Sequence, residues 1–279
     1  MSKIIDGKKV SLKLKEELKE KVSKLKVKPK LVVISVGDNP ASKVYVRQKE
    51  KCANYVGFEY NHLHYEKIKD EDLIKKIEKL NKDNSVSGMI VQLPLPKGMD
   101  EKRIVNSIDP DKDVDGLSYI NAGRLLNNEP CLASCTPAGI MELLKAYNID
   151  PCGKNVVVIG RSILVGKPMV NLMVNANATV TLCHSKTVDI EKVTKKADIL
   201  VVAIGKPNFV KRNMVKRGSI VIDVGINRVD DKLIGDVDYN DVYDKVKLIT
   251  PVPGGVGPMT VIMLMNNVYQ AYLNKKTSK

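Results

Sequence analysis

The sequence of 279 residues predicts an α/β fold in two domains. Short aliphatic, β-branched runs recur along the chain, several ending in glycine, as strands of a sheet covered on both faces do. Helical periodicity fills most of the intervals between them. The alternation lapses over 97–130, where few strong signals stand, and then restarts, so two α/β series are expected.

The first series opens with Val10, Leu14, Leu18, Val22 and Leu25, spaced 4, 4, 4 and 3 apart, one apolar face of an amphipathic helix. "LVVISVG" (31–37) reads as a buried parallel strand, 41–56 as a helix, "FEYNHLHYE" (58–66) as an alternating strand and "EDLIKKIEKL" (71–80) as a helix. "GMIVQLPLP" (88–96) is a third strand that its prolines stop. "TPAGIMELLKAYN" (136–148) is expected to be a helix capped by Thr136 with Pro137 at its first position. The second series has strands at 155–160, 179–184, 199–205 and 219–225, a last strand within 248–258 and a closing helix at 259–273. The domains are expected to comprise 1–120 plus 259–279, and 121–258, with a cleft between them.

Composition narrows the class. With 43% hydrophobic and 28% charged residues the chain is not a disordered one, and 4% aromatics without Trp imply an aliphatic core. The net charge of +14 leaves three readings open: nucleic-acid binding, a general lysine bias on solvated helix faces, or attraction of small polyanionic substrates. The lysines are dispersed, without a basic block, so neither a nucleic-acid nor a membrane partner is expected. The N-terminal "MSKIIDGKKV" has no apolar core of a signal peptide. Apolar runs reach about six residues where a membrane span needs about 20. Five cysteines without Cys-x-x-Cys spacing read as reduced thiols, not a metal set. A soluble, cytoplasmic protein is expected.

Candidate chemistry clusters at strand ends. In "VVVIGRSILVGKP" (156–168) a strand delivers Gly160 to a turn before a helix starting near Gly166 or Lys167, a place where backbone N–H groups can hold phosphate. The Gly-x-x-x-x-x-Gly spacing differs from the usual dinucleotide fingerprint. The next strand ends in "LCHSKT" (182–187), with Ser185 and Lys186 and no carboxylate; together with Arg161 this suits a 2′-phosphate and points to NADP over NAD. "IGKP" (204–207) and "DVGIN" (223–227) end the following strands. In the first series Tyr45 and Lys49 share a helix face, Gln92 ends a strand, and Asp115 before Gly116 is the best placed acid of "DPDKDVDG" (109–116).

Ten segments in order closely resemble the bifunctional methylenetetrahydrofolate dehydrogenase/methenyltetrahydrofolate cyclohydrolase family, among them "VGDNPASKVYVRQKEKCANYVGF", "VQLPLP", "DKDVDGLSYINAGRL", "VVVIGRSILVGKPM", "VIDVGIN", "GDVDY" and "PVPGGVGPMTVIML". They run from about residue 36 to 265; Leu164 and Ile262-Met263 depart from the usual pattern without touching a polar role. The resemblance implies a second domain that is Rossmann-like and binds NADP, tetrahydrofolate substrates that carry polyglutamate tails, and a homodimer. It implies Lys49 as catalytic lysine, with Tyr45 as its partner and a stacking surface, and Gln92 orienting the lysine. Asp115 would take the pterin edge, Ser42 would shape the folate pocket, and Pro253, Gly254 and Gly255 would wall it. Gly160, Arg161 and Ser162 would form the cofactor turn, with Ser185 near the 2′-phosphate and Ile226 contacting the nicotinamide side through its backbone. The basic nucleic-acid binder is the competing expectation.

Overall fold

A computed structural model describes residues 3–277. In chain order its elements are α1 (Gly7–Ser23), β1 (Lys30–Val36), α2 (Pro40–Val56), β2 (Glu59–Tyr65), α3 (Asp70–Lys82), β3 (Gly88–Val91), α4 (Glu101–Val105), α5 (Tyr119–Leu126), α6 (Cys135–Ala146), β4 (Asn155–Ile159), α7 (Gly166–Asn175), β5 (Thr179–Cys183), α8 (Ile190–Thr194), β6 (Ile199–Val202), β7 (Ile220–Asp223), β8 (Asn227–Val229), β9 (Lys232–Ile234), α9 (Tyr239–Tyr243), β10 (Leu248–Ile249) and α10 (Gly257–Thr277).

They form two compact units, each from two stretches of chain: Lys13–Cys135 with Val261–Lys279, and Met1–Leu12 with Thr136–Thr260. The division expected from sequence runs 1–120 plus 259–279 against 121–258. The N-terminal residues join the second unit through main-chain pairing: Ile5 N–H donates to Ile249 O and Ile249 N–H to Lys3 O, both at 2.8 Å.

The first unit holds a parallel sheet in the order β2-β1-β3. On one face Val32, Ile34 and Val36 of β1 pack with Leu73 and Ile77 of α3, Ile104 and Ile108. Each such side chain contributes about 1.5–3 kcal/mol on full burial. Helix α2 starts where it does because the Asn39 side chain accepts from Ala41 N–H (2.9 Å) and Ser42 N–H (3.1 Å), with Pro40 preset behind the cap. Helix α3 has Asp70, Glu71 and Asp72 in its first turn and Lys79 and Lys82 in its last, matching the helix dipole. Its carboxyl end is closed by the buried Lys112, whose Nζ donates to the carbonyls of Leu80 (2.9 Å), Asn81 (2.7 Å) and Asp83 (2.7 Å). Burial, and then the charge of Lys275, pull that amine below the usual lysine range.

The second unit holds a five-stranded parallel sheet, β10-β7-β6-β4-β5, around Val157, Ile159, Leu200, Val202, Val221 and Ile249. The chain leaves β4 toward β5 on one side and returns to β6 on the other. In the first unit β1 is flanked by β2 and β3 in the same way. Such reversal points open a crevice at the carboxyl ends of the strands, where ligands of open α/β sheets bind.

Several expectations need correction. Thr136 does not cap α6: Cys135 is already helical, and the Thr136 hydroxyl instead pairs with the Thr260 hydroxyl at 2.9 Å. The run 88–96 is strand only to Val91, whereas the last strand, Leu248–Ile249, falls within 248–258 and runs into the loop as expected. The antiparallel pair β8–β9 has no sequence expectation behind it. Among the described residues no helix is long and apolar enough to cross a membrane.

Candidate active site

In the first unit the β1 crevice is bordered by α2 and by the chain leaving β3. Lys49 lies on the inner side of α2, and is only 9% exposed despite its charge. Its Nζ donates to Gln92 Oε1 at 2.7 Å. Gln92 continues the ladder past β3, its N–H donating to Ile34 O at 2.8 Å, and its own Nε2 donates to Leu93 O at 2.7 Å. Both ends of the amide are thereby assigned, and the oxygen is left facing the lysine. Tyr45, one turn before Lys49, is 44% exposed and offers a ring face. The Ser42 hydroxyl oxygen is buried without a hydrogen-bond partner among the described residues, an orphan group that a ligand could satisfy.

Asp115 arrives on a loop anchored from both sides. The buried Asp113 carboxylate accepts from Gly116 N–H (3.1 Å), Ser118 N–H (2.8 Å) and Asn121 Nδ2 (3.2 Å). Burial raises the Asp113 carboxyl above its ordinary range. On the other side Val114 O accepts from Asn267 Nδ2 at 2.9 Å and from Cys135 Sγ at 3.4 Å, and the same Asn267 amide donates to Ala133 O at 2.9 Å. Cys135 is fully buried, and burial followed by the charge of Asp115 pushes its thiol well above the usual range, while Lys49 acts in the opposite direction.

Sequence reasoning passed over the supporting residues. Asp113 and Asn121 lie inside the quoted segment 111–125 without being singled out there, and Cys135 and Asn267 are likewise not singled out; their roles come from burial. The same holds for Ser35, whose hydroxyl pairs with His62 Nε2 (2.8 Å) and His64 Nδ1 (3.0 Å) across β1 and β2. Burial, then the neighbouring His64, hold the His62 imidazole below its ordinary value.

In the second unit the predicted cofactor residues gather along the carboxyl edge of the sheet. Gly160, Arg161 and Ser162 follow β4, Ser185 follows β5 and Ile226 follows β7. The turn after β4 needs both its glycines. A Cβ at Gly160 would lie 2.2 Å from Ala203 O, and one at Gly166 would lie 1.9 Å from Gly160 O. The Ser162 hydroxyl accepts from Val165 N–H at 3.1 Å and shapes the entry to α7. Arg161, Ser162 and Ser185 are exposed, and Ile226 is 49% exposed. Beyond β5 the sequence His184-Ser185-Lys186-Thr187 carries no acid, so a 2′-phosphate meets no fixed negative charge there. His184 forms a local turn, its Nδ1 accepting from Lys186 N–H at 3.1 Å. Pro253, Gly254 and Gly255 follow β10, where Gly254 O accepts from Lys8 N–H at 2.9 Å. Among the described residues no three His, Cys, Asp or Glu side chains are grouped to hold a metal ion.

Two family models match the chain: the catalytic domain of tetrahydrofolate dehydrogenase/cyclohydrolase over residues 5–115, and the NAD(P)-binding domain of the same family over 134–276. The bifunctional protein FolD of Streptococcus thermophilus is 53% identical over 279 residues, covering 98% of each chain. The crystal structure of the bifunctional FolD enzyme from Campylobacter jejuni superposes with a TM-score of 0.96 at 47% identity, over 98% of this chain and 99% of the other. That of the Trypanosoma brucei enzyme, complexed with NADP cofactor and inhibitor, gives 0.92 at 36% identity, over 98% and 97%. With both parts of its length matched and relatives of this identity end to end, the chain belongs to the tetrahydrofolate dehydrogenase/cyclohydrolase family.

Proposed function

We propose that Lys49, oriented by Gln92, is the proton carrier for the hydrolytic half of a two-reaction site. The chain is a bifunctional enzyme of one-carbon metabolism. It oxidises 5,10-methylenetetrahydrofolate to 5,10-methenyltetrahydrofolate and hydrolyses that product to 10-formyltetrahydrofolate. The observation that carries the assignment of Lys49 is its buried 2.7 Å hydrogen bond to Gln92.

The two steps ask different things of the protein. NADP, when bound, supplies the hydride acceptor. The cation left on the folate is stabilised by its own two nitrogens, so the residues need only hold donor and acceptor in line. Hydrolysis adds water to the methenyl carbon, removes a proton from that water and delivers one to the ring nitrogen as its bond to carbon breaks. An amine at Lys49 can take the first proton and return the second. Gln92 keeps the amine aimed, because its acceptor oxygen has one direction available. Asp115 is assigned to the amino-pyrimidine edge of the pterin, a bidentate match of planar groups, and Tyr45 to stacking on the aminobenzoate. Ser42 supplies a hydroxyl to the same pocket. Arg161, Ser162 and Ser185 are assigned to the phosphates of NADP and Ile226 to its nicotinamide end.

The net charge of +14 supports capture of polyglutamylated folates. A KM indifferent to added glutamates at low salt removes that part of the proposal. A homodimer is supported by the outer position of β5 and the exposure of Val174 and Val188; a monomer by sedimentation excludes it. A cytoplasmic location is supported by the five free thiols. An oxidising compartment, shown by fractionation, would overturn it. The central test is spectroscopic. Purified protein with methylenetetrahydrofolate and NADP should produce NADPH and methenyltetrahydrofolate absorbance, the latter then decaying; a methenyl signal that persists refutes the hydrolytic assignment.

A further inference from the structure

Two buried carboxylates lie at the carboxyl edge of the five-stranded sheet and take no part in the chemistry above. Asp236, after β9, is 0% exposed. Its Oδ2 accepts from Ile204 N–H (2.7 Å) and Gly205 N–H (2.9 Å), and its Oδ1 from Lys206 N–H and Asn227 Nδ2, both at 2.9 Å. Asp223, the last residue of β7, answers it. Asp223 Oδ1 accepts from Gly225 N–H and from Asp236 N–H at 3.0 Å each, and its Oδ2 accepts from Val237 N–H at 2.9 Å. Each acid occupies the space where a side chain on the other's loop would stand. A Cβ at Gly225 would lie 2.2 Å from Asp236 Oδ1, and one at Gly235 would lie 1.8 Å from Asp223 Oδ2. The pair therefore interlocks three segments: 204–206 beyond β6, 224–227 beyond β7, and 235–237.

The arrangement is costly. Burial raises the Asp223 carboxyl to about 7 even though backbone N–H groups point at it. Apolar packing could hold the loops together at no such cost, but it would lack the direction that these hydrogen bonds impose. Between the two anchors lies Ile226: Gly225 N–H is tied to Asp223 and the Asn227 side chain to Asp236.

We propose that Asp236 is a positioning residue for the dinucleotide, fixing the 204–206 and 225–227 loops relative to each other and so setting the backbone at Ile226 against the nicotinamide end. This rests on the assignment of Ile226 to the nicotinamide side. Hydride transfer is sensitive to such placement, since a shift of about 1 Å can cost about a hundredfold in rate.

The test uses the full-length enzyme and Asp236→Asn, an isosteric change. Each oxygen of Asp236 takes two donors, at least one of them a backbone N–H, so either orientation of an amide sets its NH2 group against a fixed N–H. The KM for NADP should rise about tenfold or more, as the loops on either side of Ile226 lose the spacing that Asp236 sets. Inhibition by 2′,5′-ADP, which lacks the nicotinamide half, and cyclohydrolase kcat/KM should both stay within about twofold of wild type. A purely structural role would weaken all three together, and that result, or an unchanged KM for NADP, overturns the proposal. Wild-type enzyme in which 2′,5′-ADP fails to compete with NADP overturns the cofactor assignment and the proposal with it; competition in wild type with an unaltered variant overturns the proposal alone. Should Asp236→Asn not fold, Asn227→Ala removes a single donor, and the KM for NADP should rise about threefold. No rise there also overturns it.

Discussion

Replacing Lys49 with Met separates the two activities. The substitution keeps the length and flexibility of the side chain while removing the amine. Gln92 Oε1 then loses its 2.7 Å partner within a buried environment. Leaving such an acceptor unsatisfied costs about 1–3 kcal/mol. In a protein of this size that lowers Tm by roughly 2–4 °C for each kcal/mol. The catalytic loss should be larger. A positioned proton carrier contributes about 10²–10⁴-fold, or about 3–5 kcal/mol of barrier. Cyclohydrolase kcat should fall by that factor, while the hydride step, which needs alignment and no proton transfer, keeps part of its rate. The assay follows NADPH formation and methenyltetrahydrofolate decay in the same cuvette, with thermal melting alongside. Equal losses in both activities, or equal retention, would refute the reasoning. Gln92→Ala supplies the companion measurement: it leaves the amine in place but unaimed, so its cyclohydrolase loss should be smaller than that of Lys49→Met.

Three further outcomes are expected. In the double variant Arg161→Ala, Ser185→Ala the preference for NADP over NAD should shrink by about tenfold or more, since charge-assisted contacts to a phosphate disappear; an unchanged ratio of kcat/KM for the two cofactors excludes the 2′-phosphate assignment. His62 is held below its ordinary value of 6.5, so the unfolded chain binds the proton more readily than the folded one. Stability is then full above about 6.5 and declines as pH falls below it. Melting curves between about pH 7.5 and 5.5 should fall less steeply in His62→Gln than in wild type, and identical slopes would contradict this. Lys112→Met uncaps three carbonyls at the end of α3 and should destabilise by about 1–3 kcal/mol in urea unfolding; a change below about 0.5 kcal/mol would show the cap to be idle.

Much of this molecule is legible in its sequence, and the residues explain which part. Val32, Ile34, Val157 and Val202 sit in unbroken aliphatic runs, and only a sheet covered on both faces buries such a run. Lys49 is different: 46 Lys plus Arg, of which seven are Arg, leave 39 lysines, and nothing local to "VRQKEK" marks one as buried. Its neighbours Tyr45 and Gln92 single it out only when the family resemblance joins segments 43 positions apart. The carboxylates Asp113, Asp223 and Asp236 escape for the opposite reason. Asp113 lies in an acid-rich turn, Asp223 ends a predicted strand and Asp236 lies in a short polar stretch, and their value comes from the N–H donors that surround them once buried. The β8–β9 hairpin escapes because its two turn residues, Asp230 and Asp231, adopt left-handed φ values of 46° and 61° that Asn-Gly or Asp-Gly would have advertised.

Asn267 of α10 holds the carbonyls of Val114 and Ala133, residues made more than a hundred positions earlier. During synthesis Lys49, Gln92 and Asp115 are therefore all made long before the group that anchors the Asp115 loop exists. The amino-terminal segment at Ile5 likewise waits for Ile249. Neither unit is a contiguous piece that can close as it leaves the ribosome, and long-range contacts of this kind fold slowly. A chain cut short before α10 would carry every residue assigned to the hydrolytic step and still lack the geometry to use them. Synthesis of α10 thus precedes any closure of the loop that carries Asp115.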